Sequence, residues 1–125
     1  MARILIAEDQ TDVREFCRRG LAAHGHEVTA VADGLAALAA LESERFDLLL
    51  TDIVMPELDG IALALKAGKT WPDMAILLMT GYAAERQRAH NLDALVHEVL
   101  AKPFELSELA AAAARALASV RPSDR

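Results

Sequence analysis

The sequence predicts a three-layer α/β domain, a parallel sheet with helices on both faces. Three observations predict it. Short apolar runs alternate five times with helix-length segments along 125 residues, the pattern of strand–helix units joined by right-handed crossovers. The run Leu48-Leu49-Leu50-Thr51 is apolar almost throughout, as a central parallel strand buried on both faces must be. The connections are short, and no repeat or low-complexity stretch breaks the alternation.

In chain order, Arg3 to Ala7 is an apolar strand that runs into Glu8-Asp9. Thr11 is placed to cap a helix whose apolar stripe is Val13, Phe16, Cys17 and Gly20. His24-Gly25-His26 closes it, with Gly25 suited to a left-handed C-terminal position. Glu27 to Val31 is a β-branched, partly alternating strand. Asp33-Gly34 opens a second helix with Leu35, Leu38 and Leu41 toward the core. Phe46 to Thr51 is the central strand, turned away after Asp52 by Met55-Pro56 and Asp59-Gly60. A third helix runs through Ile61, Leu63 and Leu65 and fades near Gly68. Trp71-Pro72-Asp73 is a loop anchored by its tryptophan, and Ala75 to Met79 is the fourth strand. Ala83 to about Leu92 is a helix made polar by Glu85, Arg86, Gln87 and Arg88, expected to be the loosest. Val96 to Ala101 is the fifth strand, and Glu105 to about Val120 an alanine-rich helix. One domain is expected over residues 1–120, with a short polar tail at 121–125.

Composition narrows the function classes. The chain is 54% apolar, enough for a single core and too much for intrinsic disorder. Its net charge of −6 argues against nucleic acid or anionic membrane as primary partner, since both attract basic surfaces. No apolar run approaches the roughly 20 residues that span a bilayer, and the N-terminus turns acidic too soon for a signal peptide. Cys17 is the only cysteine, so no intrachain disulfide forms and a reducing, cytoplasmic setting fits. On its helical stripe it reads as a packing residue. His24, His26, His90 and His97 lack the spacing of a metal cluster.

The strand ends carry the chemistry. Ligands of open parallel sheets bind beyond the carboxyl ends of the strands. Glu8 and Asp9 follow the first strand, Asp52 the third, Thr80 the fourth and Lys102 the fifth. Carboxylates gathered there raise one another's pKa unless a cation sits between them. Mg²⁺ suits the set, because it takes hard oxygen ligands and commonly uses one or two carboxylates plus waters and phosphate oxygens. Asp9 and Asp52 would ligate it, Glu8 directly or through water, with the Val54 carbonyl as a further oxygen. Asp52 would keep an oxygen free as nucleophile for an aspartyl phosphate. Lys102 and the Thr80 hydroxyl would then neutralise phosphoryl oxygens that the metal does not cover.

Glu8-Asp9, Asp52 with Met55-Pro56 and Asp59-Gly60, Thr80-Gly81 and Lys102-Pro103-Phe104 resemble the receiver domain of two-component response regulators. The resemblance covers nearly the whole chain, in the right order. It implies a flavodoxin-like (CheY-like) fold, a doubly wound five-stranded parallel sheet of strand order 2-1-3-4-5. It also implies a histidine kinase or phosphotransfer protein as phosphoryl donor to Asp52, a requirement for Mg²⁺, and readout by Thr80 and Lys102. More closely, residues 1–9, 25–30, 48–56 and Thr80-Gly81 resemble the CpdR-type family of stand-alone receivers. Members of that family, when unphosphorylated, help present substrates to the ClpXP protease. The chain ends after the fifth helix, so output by protein–protein contact rather than by an appended DNA-binding domain is expected. The resemblance also points to the fourth and fifth helices and last strand as the output face.

The chain departs from the family pattern at three positions. Receivers commonly carry an aromatic residue three places before the lysine that moves inward on activation; here that residue is Val99. Tyr82, two residues after Thr80, is the candidate to move instead. Val54 and Tyr82 also occupy the family positions that flank the attacking water, and neither side chain readily activates it. Slow loss of phosphate is expected. Competing classes fit less well. An aspartate-nucleophile phosphohydrolase needs a general acid where Val54 stands, and a flavodoxin-type binder would put phosphate against Glu8-Asp9-Gln10. A relay intermediate or phosphate sink uses the same site as the signalling reading. A receiver that only scaffolds would have no use for Asp9, Asp52, Thr80 and Lys102 together.

Overall fold

A computed structural model describes residues 2–89 and 96–119. Five strands and five helices alternate: β1 (Arg3–Ala7), α1 (Thr11–Ala23), β2 (Glu27–Val31), α2 (Gly34–Ser43), β3 (Leu48–Asp52), α3 (Gly60–Thr70), β4 (Ala75–Thr80), α4 (Ala83–Ala89), β5 (Glu98–Ala101) and α5 (Leu106–Ser119). All neighbouring strands are parallel and the order is β2-β1-β3-β4-β5. The fold class expected from the alternation is the one found.

Strand periodicity divides the apolar residues into two cores. Ile4 and Ile6 of β1, Leu48 and Leu50 of β3, and Leu77 and Met79 of β4 face α1 and α5, where Cys17, Leu21, Leu109 and Ala113 meet them. Leu5, Leu49, Ile76 and Leu78 face the other way, onto Ala37 and Leu41 of α2 and Leu63, Ala64 and Ala67 of α3. Every residue of β3 and β4 is buried, which is why those strands read as unbroken apolar runs. Trp71 packs against the second core from the end of α3, the anchoring role its loop suggested.

Several helical details differ from the sequence reading. Thr11 is the first residue of α1 and not its cap; Gln10 holds the cap position without a side-chain bond. Phe16 lies at the edge of the α1 stripe and is 43% exposed, its ring leaning on Phe104 with centroids 6.4 Å apart. Leu35 and Leu65 point to solvent. Each lies two residues from a buried alanine (Ala37 and Ala67) and so nearly opposite it on the helix. The fifth strand begins at Glu98 rather than Val96. The expected end of α4 near Leu92, Val120 and the tail at 121–125 lie outside the described residues.

Caps and close approaches fix the connections near the sheet's carboxyl edge. Asp33 and Asp59 cap α2 and α3, their carboxylates accepting from the N–H groups of Ala36 at 2.8 Å and Ala62 at 2.9 Å. Gly25 closes α1 with φ +90°, the left-handed C-terminal position expected of it. A Cβ at Gly60 would lie 2.1 Å from the Asp52 carbonyl oxygen, so only glycine lets α3 start against the end of β3. The loop between them turns through Glu57 at φ +68°, a conformation that costs a non-glycine residue roughly 1–2 kcal/mol. Buried Met55 holds that loop to the core.

Gly60→Ala is therefore expected to lower stability by about 1–3 kcal/mol, the usual cost of overpacking, despite alanine's better helix propensity. Urea unfolding checks this, and an unchanged midpoint would show that the α3 start is free to retreat.

Candidate functional site

Parallel register brings the ends of the strands together. Ala7 is paired with Thr51, Asp52 with Met79 and Thr80 with Ala101, so Glu8, Asp9, Asp52, Thr80 and Lys102 share one edge. Oxygens of Glu8, Asp9 and Asp52 all lie within 4.8 Å of one another. Lys102 Nζ stands among them, 2.8 Å from Glu8 Oε1 and 3.3 Å from Asp52 Oδ2.

Glu8 is wholly buried and every polar group it has is partnered. Its N–H donates to the Val31 carbonyl at 3.1 Å, and its Oε2 accepts from the Gln10 N–H at 3.0 Å. Lys102 takes Oε1, and an Arg14 nitrogen donates to the Glu8 carbonyl at 2.8 Å. Asp9, by contrast, is exposed, and among the described residues no group donates to its carboxylate. Asp52 is 6% exposed. Burial first, and the Glu8 charge second, push its carboxyl up to about 6, against the pull of Lys102. The Lys102 ammonium is itself held above its ordinary range: burial lowers it, and Glu8 and Asp52 outweigh that.

Thr80 is also fully buried. Its hydroxyl accepts from the Tyr82 N–H at 3.2 Å, which leaves the hydroxyl hydrogen available for donation. Its carbonyl accepts from the Lys102 N–H at 2.9 Å. Two residues singled out from the sequence do not join the cluster. Tyr82 is 62% exposed, and Val99 is partly buried, packed against the core on the α2–α3 side. Val54 projects into solvent. Cys17 has the packing role expected, its thiol pushed up to about 12 by burial and the Glu8 charge.

Sequence reasoning missed Arg14, whose only signal was its place one turn into the helix after the acidic pair. It also missed Arg88, which bonds the free oxygen of the α3 cap Asp59 at 3.3 Å and so ties α4 to the loop after β3.

The donor set fits Mg²⁺. Three carboxylates face a single ammonium, all donors are hard oxygens, and the Glu8 charge adds to burial in raising the Asp52 carboxyl. Both Glu8 oxygens are engaged, which leaves Asp9 and Asp52 as the carboxylates free to reach an ion directly.

The family pattern for the response regulator receiver domain matches residues 4–114. The chain belongs to that family. This receiver is 45% identical over 109 residues to the response regulator receiver protein CpdR of Brucella abortus, covering 87% of this chain and 91% of CpdR. It is 38% identical over 122 residues to the response regulator MprA of Mycobacterium avium, covering 98% of this chain but only 54% of MprA. Among solved structures it resembles a CheY-like receiver domain protein from Methanospirillum hungatei (TM-score 0.88, 32% identity, 95% of each chain). It also resembles TrrA of Thermotoga maritima in complex with Mg²⁺ and beryllofluoride (TM-score 0.84, 30% identity, 92% of this chain and 98% of that one). Response regulators of this family are two-component signalling proteins. Among the described residues no helix is long and apolar enough to cross a membrane.

The raised Asp52 carboxyl has a consequence for stability. Folded Asp52 holds its proton more tightly than the unfolded chain does, so its contribution is fully present below the ordinary value of 3.8 and is lost as pH rises through about 6. In metal-free buffer Asp52→Asn is expected to be more stable than wild type at pH ~7.5 by about 2 kcal/mol, and the gap is expected to close near pH ~4. Denaturant unfolding at both pH values checks this; a gap independent of pH would contradict it.

Proposed function

We propose that this receiver accepts a phosphoryl group on Asp52 from a histidine kinase or histidine phosphotransfer protein. The observation that carries the proposal is the buried Asp52 carboxyl, pushed up to about 6 while it lies 3.3 Å from Lys102 and beside Glu8 and Asp9. Such a site lacks positive charge until a cation enters it, and the oxygens of an incoming phosphoryl group would add to that need. Mg²⁺ would be held by Asp9 and Asp52, with the Val54 carbonyl and waters, and would supply charge neutralisation at the phosphoryl oxygens. An Asp52 oxygen attacks phosphorus as the bond to the donor imidazole breaks, and the imidazole leaves with that electron pair. Lys102 turns from Asp52 to one phosphoryl oxygen, and the Thr80 hydroxyl, whose hydrogen is free while its oxygen accepts from the Tyr82 N–H, donates to another. The receiver thus assists its own phosphorylation without turning over a substrate.

The finer assignments follow from likeness. We infer one receiver domain over residues 1–120, a cytoplasmic location, and output by protein contact with no role for nucleic acid or membrane. The 45% identity to CpdR favours a CpdR-type adaptor role in presenting substrates to ClpXP. The second reading is a relay intermediate or phosphate sink, which uses the same site without an adaptor surface. Phosphohydrolase activity is disfavoured by Val54, which cannot serve as general acid.

Incubation with acetyl phosphate and Mg²⁺, followed by intact mass measurement, tests the phosphoacceptor assignment. One phosphate adduct is expected in wild type and none in Asp52→Asn; an adduct that survives this substitution would place the acceptor elsewhere. Followed over time, the wild-type adduct is expected to decay slowly, because Val54 and Tyr82 offer no base for the attacking water. Complete loss within seconds would sink that part of the account.

A further inference from the structure

The β1–α1 turn carries a cation whose contacts differ from those of every other arginine described. Arg14 is half-buried. One guanidinium nitrogen donates to the Glu8 carbonyl at 2.8 Å, the other reaches Thr11 Oγ1 at 3.5 Å, and the Arg14 N–H donates to the Gln10 carbonyl at 2.9 Å. These contacts enclose the stretch from Glu8 to Thr11, with Asp9 inside it. Arg3, Arg18, Arg19, Arg88 and Arg115 bond carboxylates at the surface. Arg14 instead bonds a main-chain carbonyl of a fully buried residue, where the chain has just left the sheet. It supplies the donor that a neighbouring strand would otherwise provide.

Asp9 makes this arrangement consequential. Its carboxylate takes no hydrogen bond among the described residues, so the backbone of the turn alone sets its direction toward Asp52. We propose that Arg14 is a positioning residue for the cation site: by clamping the Glu8 carbonyl and Thr11, it fixes the turn that aims Asp9. The proposal rests on the Mg²⁺-dependent reading above and concerns this chain's own turn.

Positioning and plain electrostatics predict opposite signs. A guanidinium beside an acidic cluster repels a divalent cation, so removing it should tighten Mg²⁺ binding if charge is all it contributes. Loss of an outer partner that orients a ligand weakens metal binding by about 10–100-fold.

Isothermal titration of Mg²⁺ into the full chain, with no phosphodonor present, separates the two. R14A is expected to bind Mg²⁺ about tenfold more weakly, at the low end of that range, although the site has become more negative. R14K keeps the charge but replaces the two-pronged fork with one ammonium, and its affinity should fall between R14A and wild type. Unfolding midpoints in EDTA are measured alongside; if R14A does not fold, R14K carries the test. Affinity equal to or tighter than wild type in the folded variant overturns the proposal. A wild-type protein that binds no Mg²⁺ overturns the parent reading as well, and that failure is distinct because it appears without any substitution.

Discussion

The structure depends on one buried ion system. Glu8 is fully buried, and a carboxylate removed from water without a partner costs several kcal/mol. Its partner Lys102 lies 94 residues away in sequence and reaches it only if β5 takes its place at the far edge of the sheet. The same ammonium approaches Asp52 on β3. One contact thus ties the correct assembly of β1, β3 and β5 to the formation of the acidic cluster. One lysine for three carboxylates nevertheless leaves the cluster short of positive charge, and Asp52, its carboxyl raised by burial first and by the Glu8 charge second, lies inside it.

The backbone around Asp52 is as constrained as the charges. Gly60 packs its α-carbon against the end of β3, Asp59 caps α3 with one oxygen and holds Arg88 of α4 with the other, and Glu57 turns the loop in the left-handed region. These contacts join the loop after Asp52 to α3 and, through Arg88, to α4. Val99 is partly buried against the core and carries no aromatic ring.

The fold and most of the site were legible in the sequence because both lie on strands. β3 and β4 are buried on both faces and so spell out unbroken apolar runs, and the polar residues that end the runs gather at one edge as the candidate site. Helices hid more. The α2 segment is leucine and alanine on nearly all sides, so its periodicity could not separate inward Leu41 from outward Leu35. Leu65 misled in the same way, opposite Ala67. Arg14 escaped notice because its partner is a carbonyl, and no residue type marks a carbonyl. The pairing of Lys102 with Glu8 was likewise hidden, since it depends on strand order.

Whether the cluster around Asp52 is a charge-deficient cation site is tested most directly by titration of that carboxyl with carbon-detected NMR. In metal-free protein the Asp52 resonance should titrate with a midpoint near 6, and Mg²⁺ should move the midpoint down. A midpoint in the ordinary carboxylate range of about 4, unmoved by Mg²⁺, would contradict it.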